Sequence, residues 1–386
     1  MSPGMASGIH HASGMASGID ASGGRLRETG FRPESLHAPG PLNAITDVAG
    51  LSVGHAAMGG DARTGVTVVV PRAGDVYEAK CPGAVWALNG SGECTGAMQI
   101  NEWGLLETPV FLTGTPSVGR VYDGVLEWML GHSERLASGH GWLIPCVAEC
   151  YDGWLNDSRR FRAGAPEVAA ALAAAAGGPV AEGAVGGGRG MISFGFKGGI
   201  GTASRLVTGT PWRVGALVNC NHGTRDQFSI AGVRVGAALA DVPRPQEGPP
   251  AAGEGSVITV LATDAPLQNH GLTRLCKRGA LGLGRTGASA HHGSGDILIA
   301  FATSGATAHE ATESGAAAVW GRALDGLFQA AAEAVEEAVW NALWAGEDTL
   351  GRDGRRVWGL PRAAALEVLR SHRPDLFPAG GHAGTA

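Results

Sequence analysis

The stretch DVPRPQEGPPAAGEG, residues 241–255, is followed at once by SVITVLATD, residues 256–264. The first part contains four prolines and three glycines, a composition that is typical of a surface loop or linker. The second part is an apolar run bounded by Gly255 and Asp264, which predicts a buried strand. The chain therefore passes from a loop into a strand at the bond between Gly255 and Ser256.

Apolar runs on both sides of this junction predict further strands, because each is short and ends at Gly, Pro, Asn or Asp. They are residues 65–71, 84–90, 109–115, 142–149, 191–197, 213–220 and 296–304. Apolar side chains at helical spacing predict helices within 117–130, 165–176, 272–284 and 313–345. Strands that are apolar at nearly every position need cover on both faces, so we expect an α/β layered fold.

Composition excludes several classes of partner. The formal net charge is -6 and no basic run is present, which argues against a nucleic-acid partner. No apolar run is long enough to cross a bilayer and the first 30 residues lack the order of a signal peptide, so we expect no membrane partner and a cytoplasmic location. The six cysteines have no zinc-type spacing, which predicts reduced thiols and no metal.

The two ends of the chain differ from the middle. Residues 1–35 contain the imperfect repeat MASGIHHASG and MASGIDASGG, whose small residues cannot bury an apolar face. We expect a disordered leader over 1–35, a single domain over 36–378 and a disordered tail over 379–386.

A serine that opens a buried strand after a flexible loop has two interpretations. The local pattern by itself favours an ordinary loop-to-strand junction. In the second interpretation the Ser256 hydroxyl attacks the Gly255 carbonyl, where the absence of a Cβ permits close approach and strained backbone. Cleavage would leave Ser256 with a free α-amino group, whose reference pKa of about 8 suits a general base.

Most of the chain, from about Leu42 to Leu369, resembles the L-aminopeptidase/D-esterase (DmpA) and β-aminopeptidase family. The resemblance is carried in order by LNAITDVAGLSVGHA, NGSGECTG, LTGTPSVGRVYDG, AECYDGWLND, GAVGGGRGMISFGFKGGIGTASR, GALVNCNHG, GSVITVLATDAPL and GSGDILIAFAT. It implies a self-cleaving serine aminopeptidase, amidase or esterase that acts on small peptides, amides or esters through an acyl-Ser256 intermediate, without a cofactor. It also implies an αββα sandwich of the DmpA and ornithine acetyltransferase type.

By the same resemblance the chain is cut between Gly255 and Ser256. The products are an α chain, 1–255, and a β chain, 256–386, which stay together as one catalytic unit. The resemblance further implies a homo-oligomer, a tetramer of cleaved units.

Two catalytic residues carry over from segments before the junction. Asn221 in GALVNCNHG matches an asparagine whose N–H is assigned to the oxyanion hole, a role that suits a fixed neutral donor. Tyr151 in AECYDGWLND matches a residue near the scissile group, where its hydroxyl would donate to the intermediate. Without the family, a turn asparagine and a core tyrosine would be the simpler interpretations.

Two more carry over from GSGDILIAF. Ser294 matches a serine hydrogen-bonded to the nucleophile, and Asp296 matches an acidic residue behind it, which repeats the nucleophile, base and orienter logic of a triad. Some family members carry Glu at the position of Asp296. The shorter side chain leaves open whether Asp296 touches Ser294, and the base is either the Ser256 α-amine or this relay.

An aminopeptidase must also hold the substrate's ammonium group, which a partly desolvated carboxylate does well. Glu149, two residues before Tyr151, is our first candidate for this substrate-binding role. Glu93 in NGSGE is the second.

Other motifs do not fit their usual context. G-L-G-R-T-G at 282–287 follows a helical pattern instead of a strand, which disfavours a nucleotide-binding or oxidoreductase function. H-E-A-T-E at 309–313 lacks the second histidine of a zinc protease. An ornithine acetyltransferase-like acyltransferase is the alternative enzyme, but that kind uses threonine where this chain has Ser256.

Overall fold

The computed structural model describes residues 24–243, 254–311 and 318–378. Within these ranges the strands are β1 (Ser52–Ala57), β2 (Gly65–Val70), β3 (Ala79–Gly90), β4 (Leu105–Leu106), β5 (Val110–Gly114), β6 (Cys146–Cys150), β7 (Ile192–Ser193), β8 (Phe196–Lys197), β9 (Gly199–Leu206), β10 (Arg213–Asn221), β11 (Glu254–Thr263), β12 (Gly293–Ala302), β13 (Thr307–Ala308), β14 (Thr349–Leu350) and β15 (Arg356–Val357). The helices are α1 (Ala97–Trp103), α2 (Val118–His132), α3 (Glu134–Ala137), α4 (Ala165–Ala173), α5 (Val235–Ala238), α6 (Asn269–Arg285), α7 (Leu324–Trp344) and α8 (Arg362–His372).

Two sheets lie at the centre of the fold. The smaller has the strand order β1-β2-β5-β6, and the larger has the order β13-β3-β12-β11-β10-β9, with β4 paired to β3. Their neighbouring strands are antiparallel except for the pairs β5–β6 and β11–β12. Each parallel pair is joined through a helix, α2 in the first case and α6 in the second, as parallel strands require.

Alternate side chains of each sheet enter different layers. In β11, Val257 and Leu261 pack with the residues of α6 and α7, whereas Ile258 packs between the two sheets. In the smaller sheet, Phe111 packs with α2 and α4, whereas Leu112 faces the larger sheet. The order of layers is helix, sheet, sheet, helix, which confirms the predicted αββα sandwich.

The long predicted strands and helices are present, with one difference in the glycine-rich middle. The run 191–197 forms two short strands, β7 and β8, instead of one. Phe194 and Gly195 both have positive φ angles, 50° and 69°, which turn the chain between the two strands. The alternation of apolar residues in this run does not reveal that turn.

Part of the expected N-terminal leader belongs to the folded core. The prediction of a disordered leader over 1–35 is wrong for residues 24–35, in which Leu26 and Phe31 are buried in the core of the α6 and α7 layer. Two large apolar side chains in a glycine-rich setting carry too little periodicity to predict this. Residues 1–23 of the leader and the tail 379–386 lie outside the described residues.

A buried ion cluster attaches this N-terminal segment to α7. Glu337 on α7 accepts hydrogen bonds from Arg27, Asn43 and Arg205, and the closest Arg205–Glu337 distance is 2.7 Å. Burial by itself would raise the pKa of Glu337, but Arg205 and then Arg27 and Asn43 lower it to about 2. The cluster therefore stabilises the fold while Glu337 is ionised.

We predict that Glu337→Gln lowers the free energy of unfolding by about 3–5 kcal/mol at neutral pH, because it removes the carboxylate shared by Arg27 and the buried Arg205 and leaves Arg205 only its longer contact with Glu333. The folded pKa lies below the ordinary value of 4.5, so the Glu337 contribution is present above about pH 4.5 and is lost as the pH falls towards 2. Urea unfolding at several pH values measures both effects.

Glu336→Gln is the matched control on the same helix. Its partner Arg285 is partly exposed, at 3.3 Å, so the expected loss is under about 1 kcal/mol. Equal losses for the two variants would contradict the assigned role of the cluster.

Candidate active site

The ends of β10, β11 and β12 bring the residues of the junction together. Ser256 on β11 lies opposite Asn221 on antiparallel β10 and beside Gly295 on parallel β12. Ser256 is 3% exposed and faces the space between the two sheets, as do Ile258 and Val260 further along the strand. The Asn221 Nδ2 donates to the Ser256 Oγ over 3.4 Å.

The Asn221 side chain is held in one orientation by backbone groups. The backbone N–H of Ile192 donates to Asn221 Oδ1 at 2.8 Å. In turn, Asn221 Nδ2 donates to the backbone carbonyl of Tyr151 at 3.0 Å. An N–H donor can only meet the amide oxygen, so these two bonds point the amide N–H group towards Ser256.

Tyr151 contributes its backbone to this arrangement and its side chain to the surface. The ring is 47% exposed, and it lies over Gly153, where an added Cβ would come within 2.4 Å of the tyrosine hydroxyl. The Tyr151 carbonyl lies beside Asn221, whereas the hydroxyl lies over Gly153, and a catalytic role for the hydroxyl stays a prediction.

Ser294 and Asp296 form a separate pair on the other face of the sheet. The Ser294 hydroxyl donates to Asp296 Oδ1 at 2.8 Å, which answers the question that the sequence left open. Burial raises the pKa of Asp296, while the bond from Ser294 and the charge of His291 oppose the rise. Leu298, two residues further along β12, packs in the helix layer, so this pair faces away from the Ser256 Oγ.

In the register of β11 and β12, Ser294 lies beside Gly255, the residue that precedes the candidate nucleophile Ser256. Among the described residues, no hydrogen bond joins the hydroxyls of Ser294 and Ser256. The bond between them that the family resemblance implies is thus absent from this arrangement of the chain. The pair is instead positioned next to the peptide bond that precedes Ser256.

The two candidate ammonium ligands, Glu149 and Glu93, differ in burial. Glu149, at the end of β6, is buried and accepts hydrogen bonds from the Thr115 hydroxyl and from the backbone N–H of Glu93. Burial raises the pKa of Glu149, and these two bonds oppose the rise. The Glu93 side chain is exposed, so Glu93 supports Glu149 through its backbone and does not enter the interior.

Gly295 on β12 and Gly92 in the loop after β3 let the chain around Glu149 pack close to the strand that carries Ser256. A Cβ on Gly295 would lie 2.6 Å from the Ser91 carbonyl oxygen, and a Cβ on Gly92 would lie 3.2 Å from Glu149 Oε1. Since Gly295 pairs with Ser256, the absence of side chains here lets the loop after β3 and the end of β6 pack against the nucleophile strand.

Two further residues of the site were not predicted. The Cys150 thiol is buried next to the Ser256 hydroxyl, and burial raises its pKa far above the usual range of a thiol. His222, directly after Asn221, is buried on the helix side, and burial lowers its pKa to about 4. Strand alternation after Asn221 was the one available signal for His222, and nothing in the sequence pointed to Cys150.

Other functions find no support in the described ranges. The motif at 282–287 ends α6 instead of opening a helix, so the context of a dinucleotide site is missing. No described helix is long and apolar enough to cross a membrane. Across the residues that the structure describes, no three His, Cys, Asp or Glu side chains are grouped in a way that would hold a metal ion.

Comparisons with known proteins agree with this geometry. The family model "Peptidase family S58" matches residues 43–357. The chain is 40% identical over 385 residues to a β-peptidyl aminopeptidase, BapA, of Sphingosinicella microcystinivorans, covering 93% of this chain and 95% of the relative.

Two solved structures share the fold closely. A β-aminopeptidase of a Burkholderia species is 46% identical with a TM-score of 0.81, covering 90% of this chain and 98% of its own. The L-aminopeptidase D-Ala-esterase/amidase of Ochrobactrum anthropi is 38% identical with a TM-score of 0.81 over the same shares of the two chains. The latter is described as a prototype for the serine aminopeptidases and a variant of the Ntn hydrolase fold.

We predict that Gly295→Ala lowers the free energy of unfolding by about 1–3 kcal/mol, because the new methyl group would meet the backbone of Ser91 and Gly92. Gly284→Ala is the control, since Gly284 lies in α6 with open space around it, and alanine there should be neutral or stabilising by up to about 1 kcal/mol. Urea unfolding of both variants measures the difference. A neutral Gly295→Ala would contradict the close approach.

Proposed function

The chain belongs to peptidase family S58 and is a serine aminopeptidase, and we propose that Ser256 is its nucleophile after cleavage of the Gly255–Ser256 bond. Ser256 is supported by its place beside the fixed Asn221 amide, at the point where three strands of the larger sheet end. The family and its relatives support hydrolysis and give no support to the acyltransferase alternative.

In the proposed reaction, Ser256 Oγ attacks the substrate carbonyl carbon and its proton passes to a neighbouring base. Negative charge then develops on the carbonyl oxygen, and we propose the Asn221 N–H and the Tyr151 hydroxyl as its donors. The C–N or C–O bond breaks as the base returns the proton to the leaving group. Water then attacks the acyl carbon and gives a proton to the base. The base returns the proton to Ser256 Oγ as the ester bond breaks.

We also propose that the chain cleaves itself between Gly255 and Ser256. Gly255 supports it, because a Cβ there would lie 2.7 Å from the Asn221 carbonyl oxygen and 3.0 Å from the His222 Cα. Only glycine therefore lets the scissile residue lie this close to β10. The α chain 1–255 and the β chain 256–386 would remain one unit, since β10 and β11 pair along their length and share the core.

Glu149 is the proposed partner of the substrate's ammonium group. Its carboxylate is buried, and both oxygens are already oriented by neutral donors, which leaves the negative charge free for a cation. A buried carboxylate attracts an ammonium group more strongly than an exposed one does. The substrates would be small peptides, amides or esters with a free amino group, and the names of the relatives suggest β-peptides, peptides with an N-terminal L-residue, and D-Ala esters and amides.

We further propose that the cleaved units assemble into a tetramer and that this tetramer is cytoplasmic. All six cysteines are buried and free, which fits a reducing compartment. The exposed pair Trp103 and Trp142, with ring centroids 5.4 Å apart, offers an apolar contact surface for another copy.

The experiment that tests the function uses Ser256→Ala. We predict that the purified wild-type protein gives two fragments by intact mass, one beginning Ser-Val-Ile-Thr, and releases an N-terminal residue from a small amide. Ser256→Ala should stay uncut and inactive, because the attacking hydroxyl is gone. Ser371→Ala, at an exposed serine, is the control and should behave as wild type. An uncut wild-type chain, or an active Ser256→Ala protein, would refute the proposal.

For Asn221→Ala we predict a fall in kcat of about 100-fold or more, with a smaller change in KM, because the donor acts on charge that develops in the transition state. Steady-state kinetics on the cleaved fraction measure the effect. A change confined to KM would instead indicate that Asn221 binds the ground state of the substrate.

For Glu149→Gln we predict a loss of kcat/KM of about 10-fold or more on substrates with a free amino group, because the ammonium loses its charged partner. Glu93→Gln is the matched control and should change kcat/KM by less than about threefold, since its carboxylate is exposed. Equal losses in the two variants would remove Glu149 from its assigned role.

A further inference from the structure

His222 occupies an unusual place beside the scissile residue. Strand alternation puts Asn221 on the Ser256 Oγ side of the sheet and puts His222 on the helix side, with Ser294 and Asp296. The ring packs edge-on against Phe194, with centroids 5.0 Å apart. The backbone of His222 lies directly against Gly255.

Buried polar atoms without partners meet at this point. His222 is 4% exposed, and neither of its ring nitrogens has a hydrogen-bond partner within residues 24–243, 254–311 and 318–378. Asp296 is 3% exposed, and its Oδ2 also lacks a partner in the part of the chain that the structure describes, although its Oδ1 accepts from Ser294. Leaving such atoms unpaired in the interior is unfavourable, so they point to a group that this arrangement of the chain does not yet supply.

The two residues that carry these unpaired atoms line one small pocket. Its walls are His222, Gly223, Ser289, Ala290, His291, Ser294 and Asp296. The space open to a water-sized group is about 10 Å³, close to the minimum for one water molecule or one amine nitrogen. Ser294 lies beside Gly255 in the strand register, so the pocket flanks the peptide bond that joins Gly255 to Ser256.

We propose that this pocket receives the α-amino group of Ser256 once the bond to Gly255 is cut, and that His222 is a positioning residue for that amine. A neutral primary amine has two N–H donors and one lone pair. The donors match Asp296 Oδ2 and the unprotonated ring nitrogen of His222. The lone pair is then left for the Ser256 hydroxyl, which belongs to the same residue.

This arrangement makes the amine the base of the proposed function, on which the inference rests. The Ser256 O–H proton passes to the amine as Oγ forms its bond to the substrate carbonyl carbon. The resulting ammonium gives that proton to the leaving nitrogen as the C–N bond breaks. Ser294 and Asp296 hold the amine in place and do not receive the proton.

Three titratable side chains of the described residues line the pocket. Asp296 faces it from β12, His291 from the turn before β12, and His222 from the end of β10. Glu149 and Cys150 lie across the sheet at the end of β6. His222 is neutral in this setting, since burial lowers its pKa to about 4, and a neutral ring offers the acceptor that the amine needs.

The test compares His222→Phe, which keeps a ring against Phe194 without an acceptor, with His222→Gln, which keeps an acceptor. Both proteins are first checked by intact mass and then assayed across pH with one amide substrate. An acceptor stabilises the ammonium form more than the neutral amine, so its loss lowers the pKa of the amine. For cleaved His222→Phe we expect kcat/KM to fall about 10-fold or more and its acid limb to move down by about one pH unit.

His222→Gln should return the acid limb to the wild-type position. A His222→Phe limb that coincides with wild type, or a Gln variant that shifts as Phe does, would overturn the role of His222. An uncut His222→Phe chain beside a cut wild type would also overturn it, because the pocket acts only after cleavage. An uncut wild-type chain would instead be a failure of the proposed function, and intact mass separates the two cases.

Discussion

The alternation of side chains along three paired strands is the constraint on which the site depends. Because β11 pairs with antiparallel β10 and parallel β12 in fixed register, Ser256 and Asn221 share one face, while Ser294 and His222 share the other. A shift of one residue in either pairing would exchange the two groups. The hydrophobic pattern of β11 prevents such a shift, since Ile258 and Val257 belong to different cores on the two sides of the sheet.

Burial of polar groups gives the site its chemistry and also lowers the stability of the fold. Glu149, Asp296 and His222 are all withdrawn from water, which weakens their charged forms and strengthens each remaining electrostatic interaction. Fixed backbone donors and acceptors around Asn221 add orientation without any mobile side chain. The large buried contact of both sheets and the ion cluster at Glu337 supply the stability that such a site requires.

The sequence predicted the layered fold, because the long apolar strands have clear ends, and the family motifs supplied the site residues that we propose. It did not predict that Ser294 and Ser256 lie on opposite faces, since a motif gives no register between distant strands. It ranked Glu149 before Glu93 without predicting that only Glu149 is buried, because that burial depends on the tertiary contact with Thr115. Residues 24–35 were misjudged for a similar reason, as Phe31 finds its partners far along the chain.

The central claim is that the Ser256 hydroxyl carries the acyl group during turnover. The most direct measurement is an acid quench of enzyme with a slowly hydrolysed ester, followed by tryptic digestion and peptide mass. We predict the added acyl mass on the peptide that begins at Ser256 and ends at Arg274, with Ser256 as an N-terminal residue. An acyl group on any other residue, or none under conditions of active turnover, would contradict it.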